Sequence, residues 1–314
     1  MTEKERNCLR GNVRSCRMDR RSLEFRLDGQ LSRQTFLNPD GSEWISSSDY
    51  DARGRLLRVR SESGGELAGL QVHEYDPVGR LLRVVDRSPG HSERIVEAHD
   101  YEHDVHKKTT FIQIAPPHRE AVYFWSLDGS DSGYSVRGAT QFTTLYNDSG
   151  QVVEVVFRNA TGDVVSRAEL RYDPGGNLFE EVLRTFDAGL PPELIAAAGP
   201  AQLDAIRACF EFGRAYRYDG HGRRIESRSR IGPVGSDVRS TTYNDYGDPI
   251  LEILVSEGRE LGQSEDGELS IRPGSESVNR SESRFRYEYD AQGNWVLKVV
   301  EGVPEEQRRT IGYW

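Results

Sequence analysis

The chain has 314 residues, a formal net charge of −10, 36% hydrophobic residues and 29% charged ones, with a mean hydropathy of −0.68. No run approaches the roughly 18 apolar residues of a membrane helix, and 4 Trp, 14 Tyr and 11 Phe are too many for a disordered chain. The acidic excess argues against a nucleic-acid partner, and the 31 glycines do not recur every third residue as in collagen.

Residues 1–8 read as an N-terminal tail that carries charge but not the apolar stretch of a signal peptide. The expected compartment is the cytoplasm, with signal-independent export as the other route. Cys8, Cys16 and Cys209 are odd in number and irregular in spacing, which fits reduced thiols rather than a disulfide framework or a zinc site.

A worn copy of a repeat sits at Phe25 to Gly29. From Tyr50 onward the pattern Tyr-[Asp/Asn]-x-x-Gly is explicit: Tyr50 with Asp51 and Gly54, Tyr75 with Asp76 and Gly79, Tyr146 with Asn147 and Gly150. It continues at Tyr172 with Asp173 and Gly176, Tyr218 with Asp219 and Gly222, Tyr243 with Asn244 and Gly247, and Tyr289 with Asp290 and Gly293. The tyrosines are spaced by 25, 71, 26, 46, 25 and 46 residues. These are multiples of a unit of about 24 residues, with degenerate copies near Tyr101, at Trp125–Gly129 and at Glu265–Gly267. Asp or Asn three residues before Gly is a type I turn signature, in which the side chain accepts from backbone N–H groups two residues on. The glycine supplies the left-handed conformation from which the next strand leaves, often through a bulge.

Seven positions after each tyrosine stand Leu57, Leu82, Val153, Phe179, Ile225, Ile250 and Val296, all apolar. The next positions are mostly charged, the alternation of a half-buried antiparallel strand. Leu251 and Leu297 break that rule, so their strands are expected to be buried on both faces. A second turn falls midway through many units, as at Asn38–Gly41, Ser63–Gly65, Ser88–Gly90, Thr161–Asp163 and Pro233–Gly235. Two strands per unit give an all-β chain: a long antiparallel β-hairpin meander of roughly 20 strands, curled into a wide barrel or spiral sheet. Residues 9–314 are expected to form a single domain.

Three interruptions stand out. Residues 91–120 hold five of the seven histidines; His99, His103 and His106, interleaved with acidic residues, are candidate ligands for a divalent metal, with a polar turn in a worn repeat as the plainer reading. On one strand His99 and His103 would lie about 13 Å apart, too far to share an ion without a bend. Residues 190–210 are alanine-rich, with Pro192 and Pro200 placed to open helices and Leu203, Ile206 and Phe210 at helical spacing. Two short inserted helices are expected, as a pad over sheet edges rather than a plug. Residues 257–283, rich in Ser, Gly and Glu, read as a mobile hairpin or loop.

No Gly-x-Ser-x-Gly, phosphate-binding or His-Glu-x-x-His motif occurs. The pairs Glu180–Glu181 and Glu305–Glu306 read as solvated charges, because neighbouring strand residues point to opposite faces. Arg55, Arg80 and Arg223 beside the turn glycines are expected to pair with carboxylates on neighbouring strands rather than to bind anions.

The segments Tyr50–Leu56 and Tyr75–Leu81 resemble the YD repeats of Rhs-type proteins. Leu9–Ser15, Tyr287–Trp295 and Arg309–Tyr313 resemble the first and last strands of small stand-alone bacterial YD-repeat proteins. The resemblance spans about 9–314 and implies a β shell or barrel; in large Rhs toxins and teneurins such repeats build containers or adhesion surfaces. Against the toxin pattern, no appended effector is expected after the last repeat, and Phe186–Leu190 is only a faint echo of a self-cleavage motif. The expected function is a non-catalytic binding or scaffold protein that presents a concave β surface to a glycan, peptide or protein partner. No cofactor, nucleic acid or membrane insertion is expected. Two alternatives stand beside it: a metal-dependent hydrolase centred on residues 99–106, and a shell-like subunit associated with a toxin system.

Overall fold

A computed structural model describes residues 7, 9–101, 106–111, 122–125, 134–198, 200–263, 269–272 and 274–314. His103, His118, Cys8 and the turns expected near Val105, at 126–129 and at 265–267 lie outside them.

The described chain is all-β with one helical insertion. The strands are β1 (Val13–Met18), β2 (Arg21–Phe25), β3 (Leu31–Leu37), β4 (Glu43–Tyr50), β5 (Leu56–Ser63), β6 (Glu66–Tyr75), β7 (Leu81–Asp86) and β8 (Arg94–Asp100). There follow β9 (His106–Phe111), β10 (Val122–Trp125), β11 (Tyr134–Arg137), β12 (Gln141–Tyr146), β13 (Val152–Arg158), β14 (Val164–Tyr172) and β15 (Leu178–Thr185). After the helices α1 (Pro192–Ala197) and α2 (Pro200–Cys209) come β16 (Phe212–Tyr218), β17 (Arg224–Ile231), β18 (Gly235–Tyr243) and β19 (Pro249–Gly258). The last are β20 (Leu261–Gln263), β21 (Leu269–Ile271), β22 (Ser277–Tyr289), β23 (Trp295–Val300) and β24 (Glu306–Tyr313).

Two compact units divide the described residues, one from Met1–Ala98, Asn244–Ile250 and Ser283–Trp314, the other from His99–Tyr243 and Leu251–Glu282. In the first, strands follow one another as antiparallel neighbours from β1 to β8. Its end returns to its beginning: β22 pairs with β23, β23 with β24, and β24 with β1. Leu9, Val13, Cys16, Leu23 and Phe25 form its core, with Leu31 and Ile311 packed against them. In the second unit β9 pairs with β12, and the meander then runs in order from β12 to β18. Its core holds Phe142, Val155, Phe157, Val165, Ala168, Leu170 and Leu183.

Each explicit repeat turn has one geometry. The N–H of Gly54 donates to the carbonyl of Asp51 and the N–H of Asp51 to that of Arg55, at 3.0 and 2.9 Å. The cross-strand register slips by one residue at the tyrosine, so that Tyr50 faces Leu56, Tyr75 faces Leu81, Tyr172 faces Leu178 and Tyr218 faces Arg224. This is a type I turn followed by a glycine bulge. Gly54 and Gly79 sit at φ +79° and +95°, where any other L-residue is strained.

The helical insertion is present as expected, with a proline opening each helix. It does not interrupt the meander, because β15 and β16 still pair across it. Leu190 and Ile206 are buried, and a Cβ on Gly189 would lie 2.4 Å from the Val165 carbonyl, so only glycine allows that approach. Residues 257–283 hold the hairpin β20–β21 and the start of β22. The expectation of two-sided burial at the last repeats fails: Ile250 is exposed, and Leu251, Val296 and Leu297 are only half-buried.

Candidate functional site

The repeat residues spend their polar groups on one another. Asp51 Oδ1 accepts from the backbone N–H groups of Arg53 and Arg55, at 2.8 and 2.9 Å, and its Oδ2 accepts from Arg55 Nε at 2.7 Å. Asp76 with Arg80 and Asp219 with Arg223 repeat the ion pair at 2.7 Å. The three arginines thus bind carboxylates, as expected, but those of their own turns rather than of neighbouring strands. The backbone N–H four residues on holds the carboxyls of Asp51, Asp173 and Asp219 below the ordinary range.

The tyrosines join consecutive repeats. Tyr50 Oη donates to the Leu31 carbonyl, Tyr75 to Leu56, Tyr172 to Val152 and Tyr218 to Leu178, each at 2.8 Å, and Tyr243 donates to Arg224 at 2.7 Å. Every acceptor is the second residue after the motif glycine of the preceding repeat. The residue just after that glycine also reaches forward: Gln30 Nε2 donates to the Gly54 carbonyl and Gln151 Nε2 to that of Gly176. The guanidiniums of Arg55 and Arg223 lie over the next repeat's rings, Tyr75 and Tyr243, at 4.8 and 5.2 Å. Asp51, Gly54, Asp76, Gly79, Asn147, Gly150, Asp173, Gly176, Asp219, Gly222, Asn244, Gly247, Asp290 and Gly293 all stand in such turns, where the motif builds the frame.

Of the candidate metal ligands, His99 and His106 come together. His99 Nδ1 lies 3.0 Å from His106 Nε2, with the ring centroids 5.3 Å apart and 18° between planes. The rings therefore meet edge to edge, the arrangement of one N–H donating to the other ring's lone pair. His106 is also sandwiched between Tyr101 and Tyr146, centroids 4.6 and 4.4 Å away. Burial, then the proximity of His99 and Lys108, holds His106 below the ordinary imidazole range. No group of three or more His, Cys, Asp or Glu that could hold a metal occurs among the described residues.

Glu180 and Glu181 do diverge to opposite faces, but only Glu180 is partly solvated, paired with Arg171 at 2.8 Å. Glu181 is 1% exposed, contrary to the expectation of a solvated charge. It is accommodated because Tyr216 Oη donates to its Oε2 at 2.9 Å and Arg214 lies directly across from it in register. Burial, then the Glu181 charge, pushes the Tyr172 hydroxyl up to about 12.

On the face opposite Glu181, β15–β18 form a trough. Register places Glu180, Ala215, Arg228 and Val238 in one row, and Val182, Gly213, Arg230 and Ser236 in the next. The small Gly213 and Ala215 leave a depression that is part of a cavity of about 460 Å³. A Cβ on Gly213 would meet nothing nearer than the Glu181 carbonyl at 4.0 Å. The charged rim is held from outside: Arg228 by Glu226 at 2.8 Å, Arg230 by Glu211 at 3.0 Å, Glu180 by Arg171. An apolar floor inside a fixed rim of both signs can seat an amphipathic group such as a sugar ring or a peptide side chain. Sequence reasoning missed this site; its one signal is a Gly-x-Ala pair inside a strand, since strand glycine marks close approach by a ligand or another backbone.

No family model and no curated protein matches the chain. Among solved structures it is similar to TcdB2-TccC3-TEV, at 13% identity over 90% of this chain and 19% of that one, with a TM-score of 0.24. It is similar to TcdB2-TccC3 at 14% identity, 93% and 20% coverage and a TM-score of 0.17. A porin-like protein from Bacteroides uniformis matches at 11% identity, 89% and 95% coverage and a TM-score of 0.27. The chain spans about a fifth of the TcdB2-TccC3 chains it matches.

Proposed function

We infer that the chain is a non-catalytic YD-repeat scaffold whose trough on β15–β18 seats a group of a glycan, peptide or protein partner. The observation that carries this reading is the depression at Gly213 and Ala215, open above and ringed by side chains that other residues already hold in place. Preorganised rims cost little ordering on binding. Glycan and peptide arrays probed with the wild-type chain and with Gly213→Phe test it. A Cβ at Gly213 meets only the Glu181 carbonyl, at 4.0 Å; hits that vanish in a variant shown to be folded support the trough, and hits that persist refute it. Saturable turnover in a hydrolase screen, abolished by removing one side chain, would overturn the non-catalytic part.

A second reading, a divalent-metal hydrolase at His99 and His106, would require the contact between His99 Nδ1 and His106 Nε2, 3.0 Å apart, to open around the ion. Elemental analysis of tag-free protein decides: absence of stoichiometric Zn, Mn or Fe ends that reading.

A further inference from the structure

The hairpins β1–β4 of the first unit hold charged side chains that behave unlike most cross-strand charges of this chain. Register sets Arg17, Ser22 and Thr35 in one row, with Glu24 and Arg33 facing each other in the next. The β1–β2 turn consists of Asp19 and Arg20, and Asp19, at φ +44°, is the only non-glycine with positive φ among the described residues. The carbonyl of Arg20 accepts from the Leu37 N–H at 2.8 Å, which fixes the turn against β3. Together with Glu43 these residues line a cavity of about 300 Å³.

In several other hairpins such placement produces ion pairs, although Asp49 and Arg58 also face each other without pairing. Glu74 faces Arg83 in register and pairs with it at 2.6 Å, and Arg171 faces Glu180 and pairs at 2.8 Å. Glu24 and Arg33 face each other in the same way without pairing. Among the described residues the side chains of Arg17, Arg20, Arg33, Glu24 and Glu43 make no ion pair or hydrogen bond, and neither do the hydroxyls of Ser22 and Thr35. Solvent-exposed donors and acceptors of both signs thus line one small cavity without protein partners.

We propose that this cavity binds a small phosphate ester that also carries an ammonium group, either free or displayed as a lipid headgroup. Three guanidiniums around two hydroxyls suit a tetrahedral oxyanion, since a carboxylate is satisfied by one bidentate arginine. Glu24 and Glu43 then face the ammonium. Because the charges nearly cancel, a simple anion gains little, and selectivity for the zwitterion comes from short-range complementarity.

The test is titration calorimetry with O-phosphoethanolamine, inorganic phosphate and ethanolamine on the wild-type chain, Arg33→Gln and Glu24→Gln. The expected result is an ester affinity at least tenfold above that of either fragment. Arg33→Gln should lose at least tenfold of it, and Glu24→Gln should reduce the ester to the affinity of phosphate. Equal affinities for ester and phosphate, or ester binding unchanged in both variants, would overturn the proposal. Cosedimentation with phosphatidylethanolamine vesicles, lost in both variants, assigns the headgroup as the source; soluble binding without cosedimentation assigns the free ester, and either supports the site. Gly213→Phe should leave this binding unchanged, which separates it from the trough.

Discussion

Replacing Asn294 by alanine probes how the first unit joins its two ends. Asn294 is fully buried. Its Oδ1 accepts from the Arg10 N–H at 2.5 Å, and its Nδ2 donates to the Arg10 carbonyl and to Tyr313 Oη, both at 2.9 Å. Arg10 in turn donates to the carbonyls of Gly293 and Tyr246, and the Trp314 N–H donates to the Asn12 carbonyl at 3.0 Å. Alanine removes three hydrogen bonds, each contributing about 1 kcal/mol net, and leaves the Arg10 peptide groups without those partners. The expected loss is about 3 kcal/mol, roughly 6–10 °C in the midpoint of a thermal melt. Hydrogen exchange localises it: the Arg10 amide, protected in the wild type, should exchange rapidly in the variant while the amides of β14 stay protected. A midpoint within about 2 °C of wild type, corresponding to less than about 1 kcal/mol, would refute the view that this side chain clasps the ends.

Other predictions follow from single features. Gly79→Ala forces a side chain into φ +95° with its Cβ 3.0 Å from Arg55 Nη1; it should cost about 1–2 kcal/mol in chemical denaturation, and Gly79→Asn less. Tyr216→Phe takes a donor from buried Glu181 and should destabilise the second unit by about 1–3 kcal/mol, with part of the loss recovered on adding Glu181→Gln. Because His106 is held below the ordinary imidazole value of about 6.5, the unfolded chain binds the proton more readily. Stability from this group is therefore full above about pH 6.5 and lost as pH falls through the folded value. His106→Phe should flatten that limb of a stability–pH curve, and an unchanged limb would contradict it.

The repeat and its turns were legible because their determinants are local. Asp51, Gly54 and Arg55 satisfy one another within five residues, and the alternation flanking Tyr172 is that of a half-buried strand. The hydroxyls of Tyr50, Tyr75, Tyr172, Tyr218 and Tyr243, by contrast, reach carbonyls 19 to 40 residues away, and Tyr218 skips the whole helical insertion to reach Leu178. Burial of Glu181 was hidden for the same reason, since Tyr216 lies 35 residues on. The trough is invisible in any one strand, because Val182, Gly213, Arg230 and Ser236 become neighbours only through register. Histidine density between 91 and 120 drew attention to chemistry, whereas the described pair, His99 and His106, is engaged with each other and with tyrosine rings.

The most direct measurement is hydrogen-exchange footprinting of the wild-type chain with the tightest array ligand. Protection centred on 180–182, 213–215 and 228–230, absent in Gly213→Phe, is the predicted result. Protection confined to His99–His106 or to the repeat turns, with the trough unchanged, would contradict the account.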